Sequence, residues 1–430
     1  MNCRMFHAML LIACAAQLCA GAASGGVSIE IPTPAEPQTR AEHLGYLKKL
    51  NEMAADASAN AASNVRGDAR RPNGQNILEG LGTYQSWVGD VDGAINTFDL
   101  VFAKRRLPRL PSISDAVIHG LQAEDAIKAI VAEAKNRRVV ILNEAHHVPM
   151  HRAFSMKLAR ELRKIGFEYF AAETLTNNWP GLLKQGVTNM DGHYISEPVF
   201  GEFLRDVMRD GWKPVAYEGL PPADAVLSQS ERSQYRETKQ AQNLVDKVLK
   251  PHPSARLFIH VGYSHGDKLA SRPAGMIIPM GAKLSELGNT EPLSIDQASF
   301  YSHPEPDMEW TPYRSIIAAK GITTPSMLKK ADGTPFLFGV PPGAFDMQVV
   351  HPPYGVTGGR AEWLVSIAGR IPVDIPSSLV PGDKPRLIYA FYRDDKNRNA
   401  VPIDTVLLLP HQVPPRLMLP NGSFCLEYED

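Results

Sequence analysis

Between about residues 123 and 300 short apolar runs alternate with amphipathic stretches. Val139-Val140-Ile141-Leu142, following Arg138, is a continuous apolar run, the pattern of a strand buried on both faces. An amphipathic stretch follows from Pro149, a residue suited to the first turn of a helix because its missing N–H costs nothing there. Phe154, Leu158, Leu162 and Ile165 then recur at helical spacing until Gly166 stops the helix. The same reading predicts strands at Tyr169–Glu173, Pro214–Glu218 and Arg256–Gly262, and helices at Glu202–Arg209 and Ser228–Lys250. Repeated strand–helix units predict an α/β fold: a layered, mainly parallel sheet with flanking helices. Past residue 333, Trp363–Ile367, Arg386–Tyr392 and Thr405–Leu409 read as strands between Pro, Gly and Asp turns, so a small β-rich C-terminal segment is expected over 334–430.

Upstream, residues 41–106 carry a helical pattern. Leu81-Gly82, Gly89-Asp90, Ala94-Ile95 and Phe98 resemble one tetratricopeptide repeat, with Ala94 and Phe98 filling a hairpin interface that the glycines allow to close. One such unit leaves its own apolar face uncovered, so the hairpin is expected to pack on the core, assigned to 107–333. Residues 24–40 read as an extended leader. Before them, Arg4, the mostly apolar Met5–Leu18 and the small residues Ala20-Gly21-Ala22 predict a signal peptide over 1–23, hence a periplasmic or secreted protein. Leu11-Ile12-Ala13-Cys14 reads alternatively as a lipidation box, making a lipid anchor at Cys14 the competing outcome. Removal of the signal would leave Cys425 alone of four cysteines, which excludes an intrachain disulfide and a thiolate metal cluster. No later run reaches 18 apolar residues, so no transmembrane span is expected. A net charge of −1 argues against a nucleic-acid partner and leaves a small-molecule substrate as the expected one.

Polar residues accumulate where the predicted strands end. The first runs into Asn143-Glu144-Ala145-His146-His147 and then His151, at the start of a helix whose dipole disfavours imidazolium. Neutral imidazole is the form that serves as a general base or a metal ligand. The other strands end at Glu173, at Glu218, and at Gly262-Tyr263-Ser264-His265. Parallel sheets place their sites at the carboxyl ends of the strands, so these groups are expected to share one pocket.

In order and spacing these motifs resemble the erythromycin esterase and ChaN-like superfamily over about Arg138–Phe300. Glu144 and Ala145 fit its opening motif, with Asn143 where the family has glycine; the esterase branch's histidine falls on His147, and the haem-associated branch's pair on His146 and His151. Ala171-Ala172-Glu173, Arg236-Glu237 with Ala241 and Asn243, Val261-Gly262 to His265, and Pro279-Met280-Gly281 with Leu284 resemble its later motifs, Gln240 standing where the family has methionine.

The resemblance implies an exported hydrolase acting on an ester, lactone or related acyl bond by water attack. Glu144, His146, His147, Glu173, Arg236 and His265 would be catalytic, and His151, Glu218, Asn243 and Tyr263 substrate-binding. His147 is the expected base, oriented by Glu144 or Glu173, with His265 and Arg236 stabilising charge on the acyl oxygen. No cofactor is expected. The alternatives are a ChaN-like haem- or iron-binding lipoprotein using Tyr194 or Tyr263, a metal-dependent hydrolase whose divalent ion sits between Glu144, His146 and His265, and a serine hydrolase built on Ser264 with Asp346 and His351.

Overall fold

A computed structural model describes residues 26–430 except 32–38, 66–73, 104–111, 178–182 and 274. The expected signal segment and Cys14 lie outside the described residues, as does most of the connector before residue 112. The strands used below are β1 (Val27–Glu30), β2 (Gln122–Asp125), β3 (Val139–Glu144), β4 (Tyr169–Ala172), β5 (Lys213–Val215), β6 (Leu257–Gly262), β7 (Leu293–Phe300), β8 (Ser326–Lys329), β9 (Met347–Val350), β10 (Arg386–Tyr392), β11 (Asp404–Leu408) and β12 (Gly422–Glu429). The helices are α1 (Tyr46–Val65), α2 (Gly74–Trp87), α3 (Val91–Ala103), α4 (Pro149–Lys164), α5 (Pro198–Arg209), α6 (Gln229–Leu244) and α7 (Met280–Gly288).

Eight strands form the main sheet in the order β2-β8-β9-β7-β3-β6-β4-β5. Pairing is parallel from β9 through β5, while β8 runs antiparallel to both its neighbours. This is the expected layered α/β sheet. The side-chain period of two divides the central strands between two cores. Val140, Leu142 and Phe258 join Phe154 and Leu158 of α4 and Phe200 of α5 on one face. Val139, Ile141 and Ile259 meet Ala241 of α6 and Met280 and Leu284 of α7 on the other. Each fully buried Leu, Ile or Phe contributes roughly 1.5–3 kcal/mol, enough to outweigh the ordering cost of its own backbone, about 1–2 kcal/mol.

Three expectations change. The main sheet continues past residue 333, since β9 lies between β7 and β8 with all four residues buried. Trp363–Ile367 is not a strand: Trp363–Ser366 is a short helix closed by Ile367 N–H donating to the Trp363 carbonyl at 2.8 Å. Trp363 and Leu364 anchor it in the main core. The leader is only partly a tether, for β1 pairs in parallel with β12 from Val27↔Gly422 to Glu30↔Cys425.

The second sheet runs β1-β12-β10-β11 and packs Leu387, Tyr389 and Phe391 against Ala41, Leu44, Tyr46 and Trp87. Two carboxylates of β12 cap helices from the other end of the sequence. Glu427 Oε2 accepts the Arg40 and Ala41 N–H groups at 3.0 Å each, and Glu429 accepts those of Leu47 and Lys48 at 3.0 and 2.9 Å. Acidic groups at helix N-termini satisfy otherwise unpaired donors and oppose the helix dipole favourably. The hairpin α2–α3 closes tightly, because a Cβ on Gly82 would stand 2.5 Å from the Phe98 ring. Phe98 in turn stacks on His147, so the hairpin stands over the carboxyl edge of the main sheet.

Candidate functional site

The register aligns three strand ends. Glu144 of β3 pairs with Gly262 of β6, and Ala172 of β4 pairs with His260, which brings Glu173 to the same edge. There Glu173 Oε2 accepts the Gly262 N–H at 2.7 Å. The absent side chain of Gly262 is what lets neighbouring groups converge. A Cβ at that position would collide with the His146 ring and lie 3.0 Å from Glu173 Oε2.

His146 Nδ1 lies 2.8 Å from Glu144 Oε1. Glu144 is clamped from below by Arg152 of α4, whose Nε donates to Oε2 at 2.8 Å and Nη2 to Oε1 at 2.9 Å. Arg152 also donates to Glu197 Oε2 at 3.2 Å and to the His146 carbonyl at 2.8 Å, with its guanidinium 4.9 Å from the Phe200 ring centroid. Burial opposes ionisation of Glu144, but the adjoining Arg152 charge prevails and holds the carboxyl well below the usual range. His146 Nδ1 thus faces a fixed carboxylate, and its Nε2 has no hydrogen-bond partner among the described residues. The ring is stacked on Tyr194 at 3.9 Å and meets Tyr263 edge-on at 5.1 Å.

A second cluster adjoins it. Arg236 of α6 donates to Glu173 Oε1 at 2.6 Å and to Glu218 Oε2 at 2.6 Å, while its Nη1 lies 3.3 Å from His265 Nε2. His265 Nδ1 is 2.7 Å from Glu237 Oε1, and its Nε2 is 3.4 Å from Glu173 Oε1. Burial disfavours the imidazolium, yet Glu173 and Glu237 together raise the His265 pKa. Glu173 is lowered despite its burial, by the His265 charge and by the Arg236 guanidinium that bonds it. Asn243 Nδ2 donates to the carbonyls of Tyr217 and Glu218 at 3.0 Å each, fixing the turn that presents Glu218 beyond the short β5.

Two cavities open on this edge and share His193 and Tyr194 as a dividing wall. One, of about 430 Å³, is lined by Glu173, Glu218, Arg236 and Asn243. The other, of about 560 Å³, lies beneath the hairpin against His146, Phe98 and Tyr263.

Glu144, His146, Glu173, Glu218, Arg236, Asn243 and His265 therefore meet at one edge, and two other expected site residues do not face it as supposed. His147 is buried, with Nδ1 3.2 Å from the Tyr263 hydroxyl and Nε2 3.4 Å from that of Tyr301, and neither Glu144 nor Glu173 orients it. His151 is wholly buried and its Nδ1 accepts the Ala145 N–H at 3.1 Å, because its position on α4 points into the core. Tyr263 lines the roofed cavity with its ring, while its hydroxyl is spent on His147.

The serine-hydrolase arrangement is overturned. His351 is fully buried on Gln297, Asp346 binds Lys268 and the Ser294 N–H, and a single 3₁₀ turn follows β6 where a nucleophile elbow needs a long helix. Among the described residues no three His, Cys, Asp or Glu side chains gather as a metal-ligand set. The pattern missed Arg152, Glu197 and Glu237. An arginine on the apolar face of α4 was the available signal for the first, and Glu237 stood unweighed beside Arg236.

No protein-family model matches the chain, and no curated protein matches it. Solved structures with similarity include ChaN of Campylobacter jejuni, described with cofacial heme, at 11% identity and TM-score 0.33, covering 52% of this chain and 91% of that one. The type III effector HopBA1 shows 13% identity and TM-score 0.29, over 44% of this chain and 89% of that one. RRSP, a MARTX toxin effector domain from Vibrio vulnificus CMCP6, shows 13% identity and TM-score 0.30, over 51% and 44% respectively.

Proposed function

We propose that this edge hydrolyses an ester or related acyl bond, with His146 rather than His147 as general base. The observation that carries the reading is His146 itself: Nδ1 is held at 2.8 Å on a carboxylate that a buried arginine fixes, and the ring lines the roofed cavity with Nε2 unbonded. Nε2 takes a proton from water, the resulting hydroxide attacks the acyl carbon, and the proton is returned to the departing oxygen. Arg236 and His265, the cations of the second cluster, stabilise charge on the acyl oxygen. Action outside the cytoplasm belongs to the same proposal, on the strength of the apolar run behind Arg4.

His146→Ala is expected to lower turnover of a generic aryl ester by about 100- to 10,000-fold. His147→Phe, which keeps the stack on Phe98, should change it far less. The reverse order of effects would return the base to His147. Gly262→Ala is expected to cost about 100-fold at unchanged circular dichroism, because the added methyl displaces His146 by an ångström or so while the backbone, at φ −84°, accepts alanine. Full activity in that variant would contradict the convergence of His146 and Glu173.

A second reading, haem or iron capture, draws on the roofed cavity, where His193 and Tyr194 offer imidazole and phenol donors. Burial, then the Glu173 and Glu144 charges, push the Tyr194 phenol up to about 12, which disfavours phenolate ligation, whereas burial keeps His193 neutral. A Soret band on adding haem that disappears in His193→Ala would establish this reading; no band removes it.

A further inference from the structure

The two cavities differ in lining, and the wall they share is His193 and Tyr194, the latter stacked on His146. The roofed one is walled by Tyr84, Phe98, Tyr194 and Tyr263. Tyr263 gives its hydroxyl to His147, and the Tyr84 ring stands edge-on to Trp87 at 4.7 Å. Ring faces and edges bound most of the space, with Glu79, Thr83, His146 and His193 as its polar lining. Such walls favour a planar apolar group, through area removed from water and through offset or edge-on ring contacts worth about 0.5–1.5 kcal/mol each. A volume of about 560 Å³ is within the range of cavities that enclose a drug-sized ligand.

The other cavity presents hydrogen-bonding groups instead, among them Thr174, Thr176, Asn177, Lys239 and Asn243. Its two carboxylates, Glu173 and Glu218, are matched by two cations, Arg236 and Lys239, so the formal charge of the lining is zero while donors and acceptors abound. That combination suits hydroxyl groups better than either an ion or a hydrocarbon. The ester-hydrolase reading places the scissile bond at His146 Nε2, on the line where the two cavities meet at Tyr194.

We propose, resting on that reading, that the substrate is the ester of a planar aromatic acid with a hydroxyl-rich alcohol, the acyl ring lying under the hairpin and the alcohol lying beside Arg236. Water adds to the acyl carbon and the acyl–oxygen bond breaks; the arenecarboxylic acid and the free alcohol are the products. The alcohol keeps its original oxygen and gains the proton relayed by His146.

The test crosses the two halves in four esters: ethyl acetate, glyceryl acetate, ethyl 2-naphthoate and glyceryl 2-naphthoate, with kcat/KM measured on the full chain. Glyceryl 2-naphthoate should be hydrolysed best, with at least tenfold gained from the acyl half and a further several-fold from the alcohol. Tyr84→Ala should shrink the acyl preference, and Thr176→Ala with Asn177→Ala the alcohol preference. Equilibrium dialysis of 2-naphthoate against His146→Ala supplies a readout without turnover, and saturable binding weakened by Tyr84→Ala is expected. Hydrolysis of all four esters at similar kcat/KM overturns this inference and leaves the hydrolase reading intact. Binding of 2-naphthoate without hydrolysis of any ester overturns the hydrolase reading and the ester assignment with it, leaving an aromatic-acid site. Neither binding nor hydrolysis overturns both.

Discussion

Arg152→Met should destabilise the protein by about 3–5 kcal/mol, a large part of the stability of an ordinary domain. Arg152 is fully buried and serves two buried carboxylates, Glu144 and Glu197. Methionine fills most of the volume, so little of the loss comes from packing; the cost is two anions left in a low-dielectric site. Glu144→Gln in the same background removes one of those charges and should restore part of the loss, a non-additivity that urea melts of the two single variants and the double variant would measure. Equal losses in Arg152→Met and in the double variant would show that packing, not charge, dominates there.

Stability should also fall steeply as the pH drops below about 6.5. Besides His193, burial depresses the pKa of four buried histidines: His147 and His151 well below the ordinary value, His260 to about 4 and His351 to about 3. Between those values and the unfolded value near 6.5, the unfolded chain binds protons that the folded one refuses, so each histidine favours unfolding as the pH falls. Each is worth roughly 1 kcal/mol per pH unit, and together they amount to several kcal/mol between pH 7.5 and 5.5. His265, whose pKa is raised, acts in the opposite sense, its contribution being present below about 6.5 and lost as the pH rises through its folded value. The lowered Glu144 and Glu173 add to acid sensitivity only below the carboxylate range. Urea midpoints at the two pH values check the sign, and a flat profile would mean that the histidines are not held neutral. His351→Gln should make the profile shallower.

The sheet and the edge it serves were legible because each central strand is a continuous apolar run that ends in an acid or a histidine. β3 and β6 read from residue type alone within a residue or two. Which histidine the edge uses was not legible. His146 and His147 are neighbours at a turn, and their division of roles depends on Arg152, eight residues beyond Glu144, and on Phe98, which arrives from the hairpin. Short-range pattern does not encode contacts over such separations. β9 was hidden for a related reason, since it follows a proline-rich stretch and returns to lie between β7 and β8, two earlier strands. Trp363 misled because a tryptophan beside Leu and Val suits a strand by composition, while its burial against the main core decides for a helix.

The capping of N-terminal helices by β12 sets an order of events during synthesis. Arg40 and Glu427 are separated by 387 residues, which a ribosome adds in roughly 20 to 80 seconds at about 5–20 residues per second. Through that interval the helix Thr39–Leu44 and the start of α1 lack the carboxylates that terminate them, and β1 lacks its strand partner. The main sheet, built from residues 122–350, is complete in sequence well before then. Its carboxyl edge therefore exists as a nascent surface before the elements that anchor its roof are fixed, and the roofed cavity is among the last features of the molecule to become permanent.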